Sequence, residues 1–234
     1  MKVLITAPLK QERKIFAEFQ EGLDKLEIPD GVEVDRFYVV NDCAGIIRDI
    51  RGEYIIRDTG DRYVKTDSTH IWNKDNLNKM HELRNLTIQR MLEGGYDYWW
   101  SIDTDLVVQP TTLKWLLEAD KDIVTEGFWT NGWCNAWLYD QATGMREEWK
   151  KPGLYKIGMS GACTLVKRKV FEAGVDFTPI PVIKKCLWGE DRHFCIRAVC
   201  AGFEHWLDTH APPYHLYTEK HYREYMRRKK DGNA

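Results

Sequence analysis

The stretch 96–117, YDYWWSIDTDLVVQPTTLKWLL, holds the residues best spaced for chemistry. An apolar, aromatic run through Tyr98, Trp99, Trp100 and Ile102 ends in Asp103-Thr104-Asp105. Side chains at i and i+2 of an extended chain point to the same side. Two carboxylates so placed at the C-terminal end of a central strand project into the crevice where open α/β sheets bind ligands. They suit a hard divalent cation, which takes oxygen ligands and keeps positions for water and phosphate oxygens. The plain alternative is a polar turn that holds two aspartates.

Other candidates lie before and after this pair. Asp42 follows an apolar run, where its carboxylate either accepts hydrogen bonds from a base or ribose or simply makes an Asn-Asp turn. Arg84, beside Asn85, carries a guanidinium fork shaped for phosphate, or pairs with Glu82 or Glu93 nearby. Trp129, Trp133, Trp137 and Trp149 crowd the segment 128–149, where Asn131, Gly132 and Gly144 argue for a loop. One or two of these indoles are expected to face a ligand, since aromatic faces stack on sugar rings. Glu190 and Asp191 follow Trp188-Gly189 at a helix start, where the helix dipole alone favours acids. His210 and His215 sit near Pro-rich turns late in the chain, and one of them is a plausible metal ligand.

These residues need a frame, and the flanking patterns supply one. Residues 2–7 (KVLITA) form a continuous apolar run of the kind buried on both faces of a sheet, closed by Pro8. Ile15, Phe16, Phe19, Leu23 and Leu26 recur at helical spacing over 11–26. A second strand spans 32–40, and strand, helix, strand is the opening of a doubly wound sheet. Short strands are expected at 54–56 and 62–65, a helix over 75–92, and a helix from Pro110 that packs on the sheet through Leu113, Leu116 and Leu117. Strands at 122–126, 162–166 and 204–207, with a helix from about 190 to Cys200, complete the frame. Small residues around Gly158 and Gly161 would let a ligand approach the backbone. From Thr218 the chain reads as a solvated, fraying basic tail, the sharper reading being contact with an anionic membrane surface.

Composition narrows the classes. The chain of 234 residues fits one α/β domain. Its 34 basic and 36 acidic residues argue against a dedicated nucleic-acid binder. The six cysteines contain no C-x-x-C pair and sit mostly in apolar runs, as expected of reduced residues in a cytoplasmic protein. No run reaches transmembrane length.

Taken in order, a first strand ending at Pro8, Asp42, Arg84-Asn85, a D-x-D followed by Pro and Leu, Gly161-Ala-Cys-Thr-Leu-Val-Lys-Arg, Gly189-Glu-Asp and a late His resemble a glycosyltransferase of GT-A type, in the family 2 style. The resemblance covers residues 2–217. It implies a Rossmann-like single α/β domain with a mixed, mostly parallel central sheet flanked by helices. Residues 1–105 would be the nucleotide-binding half, 106–217 the acceptor half and 218–234 a basic tail. It implies a nucleotide-sugar donor, UDP-sugar favoured, near Ala7, Pro8, Asp42, Arg84, Asp103 and Thr104. Mn²⁺ or Mg²⁺ would be held by Asp103, Asp105 and His215, with His210 as understudy. Asp191 matches the base of inverting members, and Trp129, Trp133, Trp188 and Glu190 would meet an unknown hydroxyl acceptor. The chain departs from the pattern in having Thr6-Ala-Pro-Leu in place of Pro-Thr-Tyr-Asn and Asn41-Asp-Cys-Ala in place of Asp-Asp-Gly-Ser. It lacks Gln-x-x-Arg-Trp, which argues against a processive synthase. Two rivals remain: a sugar-phosphate nucleotidyltransferase, which would want the glycine-rich loop that TAPLKQER lacks, and a non-catalytic carbohydrate-binding protein.

Overall fold

The computed structural model describes residues 1–60, 64–65, 70–71, 74–138, 143–144, 146–183 and 189–232. The chain opens with β1 (Lys2–Leu9), α1 (Arg13–Asp24), β2 (Glu33–Val40) and β3 (Glu53–Ile56). The short pair β4 (Val64–Lys65) and β5 (His70–Ile71) precedes the long helix α2 (Lys74–Glu93). Then come β6 (Tyr98–Ser101), β7 (Leu106–Val107), α3 (Thr112–Glu118) and β8 (Ile123–Glu126). A small antiparallel group follows, β9 (Trp129–Thr130), β10 (Trp133–Trp137) and β11 (Thr143–Gly144). β12 (Leu154–Ile157), β13 (Met159–Ser160), β14 (Thr164–Lys167) and α4 (Arg168–Glu172) lead to α5 (Glu190–Cys200). β15 (His205–Asp208), β16 (Tyr214–His215) and α6 (Glu219–Lys230) complete it.

Eight strands form the central sheet in the order β12-β15-β8-β14-β6-β1-β2-β3. β1 runs parallel to both β2 and β6, β2 to β3, and β8 to β15; β14 and β12 run antiparallel to their neighbours. The ends of β1, β2, β6, β8 and β15 therefore share one edge with the start of β14. Strand order reverses at β1, which opens the crevice there. The alternation of β1 sends Val3, Ile5, Ala7 and Leu9 into a core with Phe16, Phe19, Leu113 and Leu116 of α1 and α3. Leu4 enters the opposite core with Leu83, Met91 and Phe194 of α2 and α5. Burial on both faces explains the unbroken apolar run.

Three expectations need correction, and one strand was missed. Pro8 lies inside β1, paired with Val39, and does not close the strand. Thr6 O accepts from Ile102 N at 3.0 Å, so Pro8, two residues on, faces the same neighbour beyond the last β1–β6 pair, Thr6–Ser101. Its missing N–H thus costs no ladder bond. The Trp-rich segment is a hairpin rather than a loop, and Trp149 is core. The strand β12 was not anticipated. The described C-terminal helix is not merely solvated: α6 buries Tyr225 against Ile15, Val107 and Leu216, and Lys229 donates to Glu18 and Glu21 of α1, each at 2.7 Å.

Candidate active site

Asp103 and Asp105 follow β6 at the shared edge, beside the crevice. Two backbone connections decide what meets them. β7 pairs antiparallel with β16, His215 opposite Leu106, and Leu216 N donates to Asp105 O at 2.7 Å. This register brings His215 Nε2 to 3.3 Å from Asp105 Oδ2. Its Nδ1 lies 2.6 Å from Thr130 Oγ1 on β9, and its ring packs edge-on against Phe128. A hydroxyl on the far nitrogen fixes ring orientation, as the outer partners of metal-binding histidines do. Sequence spacing alone left His210 and His215 equivalent; the structure separates them. His210 Nδ1 lies 3.0 Å from Asp208 Oδ1, and its ring stacks on Trp115 at 4.2 Å.

The second meeting joins α2, β6 and α5. Arg84 is 2 % exposed. Its Nε donates to Glu190 Oε1 at 2.8 Å, Nη1 to Ser101 Oγ at 2.8 Å and Nη2 to Asp103 Oδ1 at 3.0 Å. Asp191 Oδ1 stands 3.8 Å from Nε. Burial alone would weaken the guanidinium's charge, but Asp191, Asp103 and Glu190 more than restore it. The anticipated local partners are absent from this contact set; Glu82 instead pairs with Arg57. Glu190 is 3 % exposed and its Oε1 accepts from Arg84 Nε. Arg84 is likewise enclosed and turned toward protein carboxylates rather than toward open solvent.

Asp191 has a place prepared for it. Gly189, the residue before α5, has φ of +99°, a conformation that favours glycine. Opposite lies Gly161, where a Cβ would stand 2.2 Å from Asp191 Oδ2. The small residue in this segment thus admits a carboxylate, not only a ligand. Ala162 and Cys163 both adopt positive φ, 56° and 40°, a strained turn of the kind found at functional sites. The protein packed around Asp191 raises its pKa well above the usual carboxylate range; Glu190 and Asp103 raise it further, while Arg84 opposes.

The remaining candidates fall around this centre. Ala7 is fully buried, Pro8 half-buried and Thr104 6 % exposed. Asp42 is engaged by the neighbouring loops after β1 and β3: Lys10 Nζ, Thr59 Oγ1 and Gly60 N donate to it, the last at 3.1 Å. Trp133 is 52 % exposed, Trp129 half-buried, and the Trp137 ring carries the Arg192 guanidinium at 4.8 Å. Trp188 lies outside the described residues. Sequence reasoning missed Glu126 and Asp208, buried at 0 % and 2 % and opposite each other on β8 and β15. Burial and the Asp208 charge hold the Glu126 carboxyl well above its usual range, though Ala211 N donates to Oε1 at 3.0 Å.

Among the described residues no three His, Cys, Asp or Glu side chains gather as a metal cage. The pair Asp105–His215, with Asp103 two residues away, is an oxygen and imidazole donor set of the kind that could hold Mn²⁺ or Mg²⁺.

No protein-family model and no curated protein sequence matches the chain. Solved structures do. TarS residues 1–349 of S. aureus in complex with UDP aligns with TM-score 0.58 at 15% identity, over 97% of this chain and 64% of that one. The catalytic domain of Drosophila β1,4-galactosyltransferase 7 in complex with xylobiose gives TM-score 0.52 at 15% identity, over 94% and 72%. GalNAc-T7 with UDP, GalNAc and Mn²⁺ gives 0.61 at 11% identity, over 94% of this chain and 44% of that one. These likenesses establish the fold: the chain has the GT-A architecture that its motifs resemble.

Proposed function

We propose that a protein with this fold and this arrangement of acids is a metal-dependent glycosyltransferase. It moves a sugar from a nucleotide sugar, UDP-linked by preference, to an acceptor hydroxyl with inversion. The observation that carries the reading is the convergence at one sheet edge of Asp103, the Asp105–His215 pair and Asp191. The fold shared with structures that hold UDP supports the donor class.

In this reading the donor lies over β1 and β2, its base near Pro8 and Asp42 and its diphosphate beside Thr104. Asp103, Asp105 and His215 would hold the cation, which would stabilise charge on the departing diphosphate. Asp191 accepts the proton of the acceptor hydroxyl as its oxygen bonds to the anomeric carbon and the bond to the diphosphate breaks. Direct displacement from the face opposite the leaving group gives inversion. Trp133, with Trp129, offers an aromatic face to the acceptor, and residues 106–217 form the acceptor half. Among the described residues no helix is long and apolar enough to cross a membrane. The exposed Arg227, Arg228 and Lys230 of α6 suit peripheral contact with an anionic bilayer. The five described cysteines are free thiols, which supports a reducing, cytoplasmic setting.

Thermal melting with UDP or GDP, with Mn²⁺ or EDTA, tests the reading. UDP should raise the melting temperature only with Mn²⁺ or Mg²⁺, and Asp105→Ala should abolish that gain. An equal shift in EDTA refutes the metal role.

A further inference from the structure

We infer that Arg84 is a positioning residue: its buried guanidinium locks the metal-side Asp103 and the base Asp191 into one geometry, and does not bind the donor phosphates. The inference rests on the glycosyltransferase reading and goes beyond it by assigning how the two halves of the site are kept in register.

The argument is geometric. Arg84 comes from the middle of α2, Ser101 and Asp103 from β6 and the turn after it, and Glu190 and Asp191 from the first turn of α5. Among the described residues the guanidinium of Arg84 bridges α5 and β6 at the site. Its three nitrogens each take a different partner, at 2.8, 2.8 and 3.0 Å. A planar fork with this many fixed bonds has little freedom to rotate. Glu190, itself buried, holds Nε and so sets the plane. Nη2 then reaches Asp103, and Asp191 stands 3.8 Å from Nε on the solvent side of the same group. The Phe177 ring lies 5.6 Å from the guanidinium carbon and closes another side.

A cavity of about 10 Å³ is bordered by Arg84, Ser101, Ser160, Thr164 and Asp191. That is room for one water at most. Gly161 packs against Asp191 so closely that a Cβ there would stand 2.2 Å from Oδ2. The Arg84 side chain is 3 % exposed, whereas that of Asp103 is 41 % exposed. An incoming diphosphate meets Asp103 before it could meet the arginine. One cation facing three carboxylates is also a poor anion trap, because its charge is already shared.

The test measures UDP release from UDP-glucose, UDP-galactose and UDP-N-acetylglucosamine with Mn²⁺. It is paired with calorimetric binding of UDP and Mn²⁺, for wild type and three variants. Arg84→Lys keeps the charge and loses the fork. Arg84→Gln leaves Glu190 unpaired and risks misfolding, so the double variant Arg84→Gln/Glu190→Gln supplies a neutral pair of similar shape. Misplacing a reacting group by about 1 Å costs roughly 10²-fold in rate. Arg84→Lys and the double variant should therefore lose about 10²-fold in kcat at saturating donor and Mn²⁺, beyond any loss of UDP–Mn²⁺ affinity that the freed Asp103 causes. A raised KM with kcat retained would assign Arg84 to the phosphates and overturn the inference. So would a lower melting temperature with kcat unchanged in the folded fraction, which marks a purely structural ion pair. Wild type that neither binds UDP with Mn²⁺ nor releases it from any of the three donors overturns the glycosyltransferase reading, and the catalytic part of this inference with it.

Discussion

Gly161→Ala is the smallest perturbation that separates the account of Asp191 from its rivals. A Cβ at residue 161 would stand 2.2 Å from Asp191 Oδ2, 2.9 Å from Cγ and 3.3 Å from its Cβ. The glycine cannot retreat easily, because Asn135 Nδ2 donates to Gly161 O at 2.9 Å and β10 pairs with β13 immediately before it. The carboxylate must yield instead, by roughly 1 Å to regain ordinary contact, and a displacement of that size at a reacting group costs about 10²-fold. Gly161 is not among the glycines with positive φ, so alanine is compatible with its backbone. The fold should lose at most about 1 kcal/mol, and the variant should melt within a few degrees of wild type. Calorimetry should find UDP–Mn²⁺ binding near wild type, while UDP release from a UDP-sugar falls about 10²-fold. In combination with Asp191→Asn the second substitution should add little, since both remove the same function. A folded Gly161→Ala enzyme with wild-type turnover would refute the reasoning, because a base that works equally well from a displaced position was not held there for catalysis.

Other outcomes follow from the neighbouring contacts. His215→Ala should weaken metal-dependent UDP binding by about 10- to 100-fold or more, and Thr130→Val by less, measured as UDP affinity against Mn²⁺ concentration. Unchanged affinity in both would remove His215 from the metal. Glu126 is held protonated far above the ordinary carboxylate range, so the folded chain keeps a proton that the unfolded chain gives up. Wild-type stability from this group therefore falls as pH rises from the ordinary carboxylate range toward the folded pKa. Glu126→Gln should match wild type near about pH 5 and melt higher near about pH 8; parallel melting curves would count against a buried, protonated Glu126. Tyr225→Ala should cost about 3 kcal/mol and expose the amides of α6 to hydrogen exchange, whereas a merely solvated tail would show neither change.

The frame was legible because its signals are local. Apolar runs and 3.6-residue spacing marked β1, α1, β2, α2 and β8 to within a few residues. The edge strand β12 escaped because it is only partly buried and carries Lys156 and Tyr155, which blur the alternation. The docking of α6 was readable in principle: Tyr222, Tyr225 and Met226 recur at i, i+3 and i+4, but the surrounding charges masked the stripe. The D-x-D and Asp191 were visible as residue types at strand and helix ends. The partners of Arg84 were not, since Glu190 lies 106 positions away and only folding brings the two together. The pairing of Asp105 with His215 was implied by resemblance alone; the β7–β16 register is its physical cause. Glu126 and Asp208 were hidden because a carboxylate at the end of a buried strand looks in sequence like the start of a loop.

The central claim, an Asp191 base working opposite a metal-bound donor, is tested most directly by Asp191→Asn. Steady-state UDP release with Mn²⁺ should be compared with wild type across a panel of UDP-sugars and simple alcohol acceptors, beside calorimetric UDP–Mn²⁺ binding. The account expects binding near wild type and turnover lower by a factor on the order of 10² to 10⁴. A folded Asp191→Asn protein that releases UDP as fast as wild type would contradict it.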